Sequence, residues 1–99
     1  MHWPLIPVLV HGPSMAPTLR HGDALVACRP CRVRPGDLVV ARFRSRPELL
    51  VVKRAVRAQD GGWWLTGDNE FATSDSSSYG VADVEARVVA RYWPRPRWW

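Results

Sequence analysis

A serine hydroxyl together with a group able to take its proton can attack a carbonyl carbon, and this 99-residue chain has candidates for both parts. Serine is a weak nucleophile until a neighbouring base accepts that proton, and few side chains do so near neutral pH. Ser14 lies in a turn-rich segment with His11 three residues before it and His21 seven after. Neither spacing matches a familiar Ser-His-acid arrangement. Triads are defined by geometry, however, so an imidazole base stays open at this point. The other option is an uncharged amine. Arginine cannot provide one, because its guanidinium stays protonated. Of the fourteen Lys and Arg residues all but one are Arg, which leaves Lys53 as the single amine available.

The surroundings of Lys53 decide whether it can be uncharged. It follows Leu49-Leu-Val-Val52 and precedes Arg54-Ala-Val56, a run that reads as a buried strand. Strand alternation puts Lys53 on one face with Leu49, Val51 and Ala55, and Arg54 on the other between Val52 and Val56. An amine packed among apolar side chains loses hydration, which lowers its pKa. The competing reading is a strand lysine that snorkels to solvent in an Arg-biased chain.

Short β-rich runs must position these residues. Strands are predicted over Ala24–Cys28, Asp37–Phe43, Leu49–Val56, Trp63–Thr66 and Arg87–Trp93. Turn signals separate them at His21-Gly-Asp23, Arg34-Pro-Gly-Asp37, Ser45-Arg-Pro47 and Asp60-Gly-Gly62. The apolar opening up to Val10 is short, holds two prolines and lacks a basic leader, so it reads as an edge strand rather than a secretory signal. The polar stretch Gly67–Gly80 is a long loop of the kind that carries function, Val81–Ala86 a short helical turn, and residues 94–99 an irregular tail. The expected fold is a single mainly β domain over residues 1–99, its motif-bearing core at 12–93, with little helix.

Composition sets the outer limits. A hydrophobic fraction of 46% excludes a disordered chain, and no window approaches the ~18 apolar residues that span a bilayer, so a soluble, cytoplasmic protein is expected. The net charge of +5 permits acidic partners, nucleic acid or a membrane surface without selecting one. Cys28 and Cys31 form one C-x-x-C, readable as half a zinc site, a redox pair or two incidental thiols. A zinc site needs two further ligands, and no second C-x-x-C or H-x-x-x-H supplies them. No metal or other cofactor is expected.

Four segments, taken in order, resemble the blocks of the type I signal peptidase family. Gly12-Pro-Ser-Met-Ala-Pro-Thr-Leu19 is similar to its nucleophile motif, Ser-Met-x-Pro-Thr-Leu. Arg34-Pro-Gly-Asp-Leu-Val-Val40 resembles the next block, and Val52-Lys-Arg-Ala-Val56 the block carrying the general base. Thr66-Gly-Asp-Asn-Glu-Phe-Ala-Thr-Ser-Asp-Ser-Ser-Ser-Tyr-Gly80 resembles the last, Gly-Asp-Asn followed by Ser-x-Asp-Ser. The resemblance implies a signal-peptidase-type β fold, with Ser14 as nucleophile and Lys53 as base and later proton donor. It implies that Met15 packs beside the nucleophile, that Pro17, Thr18 and Leu19 fix its turn, and that Gly67, Asp68 and Asn69 shape the loop against it. The family's second hydroxyl, which orients the amine, falls on Thr73, and a structural carboxylate on Asp75. Two positions depart from the pattern. Gly12 stands where bacterial members often place an oxyanion-binding hydroxyl, and Pro13 has no N–H, so the developing charge is expected to rest mainly on the Ser14 amide; one lost donor costs about 3 kcal/mol. Ser77 stands where an Arg often pairs with the loop carboxylate, so Asp75 is expected to lack that salt bridge.

The Gly-Pro-Ser-Met start and the short gap from Lys53 to Gly67 resemble the small maturation proteases of nickel-type superoxide dismutase. That resemblance implies a protein substrate, the dismutase precursor, from which a short N-terminal propeptide is removed. General processing of exported proteins is the alternative within the family. A self-cleaving repressor would need a DNA-binding segment for which this length leaves no room. Outside enzymes, the basic balance and Trp3, Trp63, Trp64, Trp93, Trp98 and Trp99 suggest a module for nucleic acid or anionic membrane. Dispersed arginines argue against nucleic acid, and a strand at Trp63–Trp64 would put one ring in the core. Peripheral membrane contact through Trp98 and Trp99 stays as the residual option.

Overall fold

The computed structural model describes residues 4–29, 32–72 and 74–99. Its elements are β1 (Leu5–Leu9), β2 (Ala24–Cys28), β3 (Leu38–Phe43), β4 (Arg46–Gln59), β5 (Gly62–Thr66), α1 (Ser76–Tyr79), β6 (Ala82–Trp93) and β7 (Arg97–Trp98). The mainly β architecture expected from the strand pattern is present. The strands run in the order β1-β2-β6-β3-β4-β5, with β7 added to β6, and all pairings are antiparallel. β5 also meets β6 where Trp63 pairs with Ala82. That pairing closes β3, β4, β5 and the start of β6 into a small barrel, while β1, β2 and the rest of β6 continue as an open sheet. β1 is an edge, as its sequence predicts.

β3 is apolar almost throughout because both of its faces are covered. Val39, Ala41 and Phe43 point into the barrel core with Ala55, Leu65 and Ala82. Leu38 and Val40 turn to a second core, which holds Val10, Met15, Leu19, Leu25 and Val88. Trp63 is half-buried and packs against the barrel core without being part of it.

Three expectations need correction. Val81–Ala86 is not a helical turn: β6 begins at Ala82, and the single helical turn is α1, inside the polar loop. Asp83 and Glu85 stand out from this strand and pair with Arg44 and Arg42 next to them, at 2.9 Å each, which makes an exposed polar edge stable as strand. The turn placed at Ser45–Pro47 lies one residue earlier, at Arg44–Ser45, so Arg46 and Pro47 already belong to β4. The tail is not wholly irregular either. Arg97 and Trp98 pair with Arg91 and Ala90, and Trp99 packs against the second core with the guanidiniums of Arg91 and Arg97 over its ring. Trp93 and Trp98 stay exposed. No described helix is long and apolar enough to cross a membrane.

Candidate active site

A groove of about 440 Å³ runs between β1 and β4; of the residues that the sequence singled out, Ser14 and Lys53 line it, whereas Asp68, Asn69 and Asp75 do not. Its walls include Val8, Leu9 and Val10 on one side and Leu50, Val51 and Val52 on the other. Gly12, Ser14, Met15, Lys53 and Ser74 open onto it.

Lys53 is set by register. It is the antiparallel partner of Val39, and with Val51 and Ala55 it shares the face turned to the barrel core. The residue is only 2% exposed, so the snorkelling alternative does not describe it. Burial strips water from the ammonium and pushes its pKa below the ordinary lysine value; the charge of Asp75 opposes this and is the smaller effect. Nζ lies 3.4 Å from the Ser74 hydroxyl. Among the described residues no carboxylate forms an ion pair with it.

Ser14 sits on a turn held from beneath. Met15 and Leu19 are fully buried in the second core, and the Leu19 N–H closes on the Met15 carbonyl at 2.9 Å. The Asp23 carboxylate accepts from the Arg20 N–H at 2.9 Å and from Arg91 Nη1 at 3.2 Å, while that same nitrogen donates to the Thr18 carbonyl at 3.1 Å. Asp23 and Arg91 form a buried ion pair, which is stable only because these further hydrogen bonds accompany it. Sequence reasoning missed this brace. The two residues are 68 apart, and nothing local marks them as partners.

The polar loop presses on the same turn from above. Asn69 donates its backbone N–H to the Ser14 carbonyl and its side-chain amide to the Pro13 carbonyl, both at 3.0 Å. The Asp68 N–H approaches Met15 Sδ at 3.4 Å. Gly67 is needed because a Cβ there would come within 2.6 Å of the Ser14 carbonyl oxygen. Asp68 itself accepts from Thr18 Oγ1 at 2.6 Å and from Arg54 Nε and Nη2 at 2.9 and 2.7 Å. Arg54 therefore leaves the opposite face of β4, as alternation predicts, and ties that strand through Asp68 to the serine turn. The Arg54 hydrogen bonds, with the one from Thr18, hold the Asp68 carboxyl below the usual carboxylate range.

That network gives a stability prediction. Asp68→Asn is expected to cost about 2 kcal/mol, because it leaves Arg54 half-buried without its anion. Denaturant unfolding measures it. The depressed carboxyl means that the stabilisation is present above the unfolded-state pKa and is lost as pH falls through the folded one, so the parent and the variant should converge in acid.

The remaining expected residues fall as follows. Asp75 caps α1, accepting from the Ser77 N–H at 3.0 Å and from the Ser77 hydroxyl. Burial alone would raise its carboxyl; hydrogen bonds from Ser77 and from the Gly67 N–H, with the nearby Lys53 charge, outweigh burial and bring it below the ordinary value. Ser77 thus gives this carboxylate hydrogen bonds in place of the expected Arg partner. Thr73 lies outside the described residues, and the hydroxyl seen at Lys53 is that of its neighbour Ser74, which the motif comparison passed over. Gly12 has φ of +80° and donates its N–H to His21 Nδ1 at 3.0 Å, so this amide is engaged. The Ser14 N–H has no partner among the described residues. His11 lines the groove with its ring edge against His21, at 5.7 Å between centroids, and neither imidazole bonds to Ser14. Cys28 carries a free, half-buried thiol; Cys31 lies outside the described residues. Among the described residues no group of three His, Cys, Asp or Glu side chains is placed to hold a metal.

The fold is thus a mainly β domain whose groove is lined by both a serine and a buried lysine. Residues 4–91 match the Peptidase S24-like family, and the chain belongs to that family. Its relatives are proteases. Mitochondrial inner membrane protease subunit 1 of Schizosaccharomyces pombe is 32% identical over 91% of this chain and 74% of its own length. The protein of the same name from Xenopus tropicalis is 30% identical over 88% of this chain and 68% of its own. Mitochondrial ATP-independent inner membrane protease subunit 1a of Arabidopsis thaliana is 30% identical over 86% and 68%.

Proposed function

We propose that this chain is a serine endopeptidase in which Ser14 is the nucleophile and Lys53 the general base. The observation that carries the reading is the chain's single lysine, 2% exposed, on the same groove as Ser14. In this mechanism the neutral Nζ accepts the Oγ proton as Oγ bonds to the scissile carbonyl carbon. The oxyanion accepts from the Ser14 N–H, which has no partner among the described residues. The Lys53 ammonium then protonates the leaving amine as the C–N bond breaks. Water hydrolyses the acyl-serine, with Nζ taking its proton and Oγ regaining one. Ser74 supports the amine with its hydroxyl. No metal or cofactor enters these steps.

The substrate in this reading is a protein precursor that loses an N-terminal propeptide. The dismutase-type substrate rests on the sequence resemblance of the Gly-Pro-Ser-Met start and the short Lys53–Gly67 interval alone. Peptide cleavage by the relatives' family supports the reaction class and is neutral on the substrate. The test is incubation of the purified protein with a nickel-dismutase precursor, followed by mass spectrometry of the product's new N-terminus. A shortened product that disappears in Ser14→Ala is expected. Cleavage of exported precursors but not of the dismutase precursor would move the substrate while keeping the chemistry; cleavage undiminished in Ser14→Ala would overturn both.

A further inference from the structure

Residues 10–12, which lead into the serine turn, are tied to residues 21–23 by three hydrogen bonds. Two are backbone pairs, Val10 N–H to the Asp23 carbonyl and Gly22 N–H to the Val10 carbonyl, both at 2.9 Å. The third is different in kind: the Gly12 N–H donates to His21 Nδ1 at 3.0 Å. A backbone N–H can be met only by a lone pair, so His21 must be neutral with its proton on Nε2. A proton on Nδ1 turns the acceptor into a donor facing another donor. This bond lies two residues before Ser14; Pro13 between them has no N–H to donate, and the Pro13 and Ser14 carbonyls are held separately by Asn69, so His21 secures the Gly12 end of the segment.

We propose that His21 is a positioning residue that holds the Gly12 end of the serine segment only while its imidazole is neutral, and releases that end on protonation. The role in catalysis rests on the reading of Ser14 as nucleophile; the role in holding the segment does not. His21 takes no proton from Ser14. It holds the Gly12 N–H on the approach to the serine, while the Pro13 carbonyl, in the peptide that carries the Ser14 N–H, is held by Asn69 and the Ala16 N–H. The groups around the ring are few. His11 meets it edge-on, Arg20 and Asp23 flank it on its own turn, and Asp23 is already engaged by Arg91 from β6. The bond is exposed, so protons reach it without any opening of the fold.

The test uses the whole chain, labelled with ¹⁵N, and reads structure and turnover separately. In NMR, a scalar coupling across the N–H···N bond from Gly12 to His21 Nδ1 is expected. The Gly12 and Ser14 amide resonances should titrate with the midpoint of the His21 ring, and His11→Asn should not remove that response. His21→Asn places a non-titrating acceptor, Oδ1, where Nδ1 stood. It should keep turnover near the parent's at neutral pH and lose the acid-side fall that His21 causes. His21→Ala should lower kcat about five- to tenfold with KM little changed. Gly12 and Ser14 amides that ignore the His21 titration overturn the proposal, whatever the activity. Equal turnover of His21→Ala and the parent at all pH values overturns it too. Loss of activity in His21→Asn as complete as in Ser14→Ala would make the imidazole a proton carrier instead. A parent protein that cuts no precursor would sink the proposed reaction, and the NMR result would still decide the holding role.

Discussion

Replacing Lys53 by Met is expected to abolish cleavage, with kcat at least about 10³-fold lower, and to leave the folded protein as stable as the parent or more so at neutral pH. The two halves of this result have one cause. The amine sits in the barrel wall with Val39, Val51 and Ala55 as neighbours on its face, and burial there disfavours its charged form. Methionine fills nearly the same volume without that penalty. The sign of the pH effect follows. The folded pKa is below the unfolded value of about 10.4, so between the two the unfolded chain binds more protons and stability rises with pH. Lys53→Met should lose that slope in urea titrations run at several pH values. Lys53→Arg is the contrasting variant. It keeps a charge that cannot be shed, so it should be both inactive and less stable. The rate of the parent should depend on a base that titrates below the ordinary lysine range. Normal cutting by Lys53→Met, with cutting abolished in His11→Ala, would show that an imidazole is the base.

Gly67→Ala should damage the serine turn far more than the size of one methyl suggests. The added carbon would lie 2.6 Å from the Ser14 carbonyl oxygen and 3.5 Å from its carbon. Both sides of that contact are backbone, so no flexible side chain can swing away. Either the polar loop lifts, with loss of the Asn69 hydrogen bonds to Ser14 and Pro13, or the serine turn moves. We expect a stability loss of about 2–3 kcal/mol and turnover about 10²-fold lower, because a displacement near 1 Å at the nucleophile is enough for that. Calorimetry and kcat on the same preparation check both. A variant equal to the parent in both would mean that the loop does not press on Ser14.

The burial of Lys53 was legible from strand alternation, whereas its association with Ser14 came from the resemblance of the four blocks; the structure puts both residues on one groove. Arg54's face was legible from the same alternation. Its destination was not, since Asp68 is reached through a loop whose path no local pattern encodes. The Asp23–Arg91 brace was hidden by separation along the chain. β6 was misread at its start because Ala82-Asp-Val-Glu-Ala86 is rich in helix-forming residues, although its buried and exposed positions do alternate. What settles it as strand is Arg42 and Arg44 on the neighbouring side, a cross-strand pairing invisible to a linear reading. β7 was masked by Pro94 and Pro96, which break any longer pattern.

The double-sided burial of β3 makes it a party wall. Val39 backs the strand position that carries the amine, whereas Val40 and Leu38 line the platform under the serine turn. The spacing of hydroxyl and amine is thus a relation between two separately packed bodies sharing one partition. Shrinking a side chain on either side, Val39→Ala or Val40→Ala, would tilt one tenant against the other and slow the reaction without touching a reacting atom.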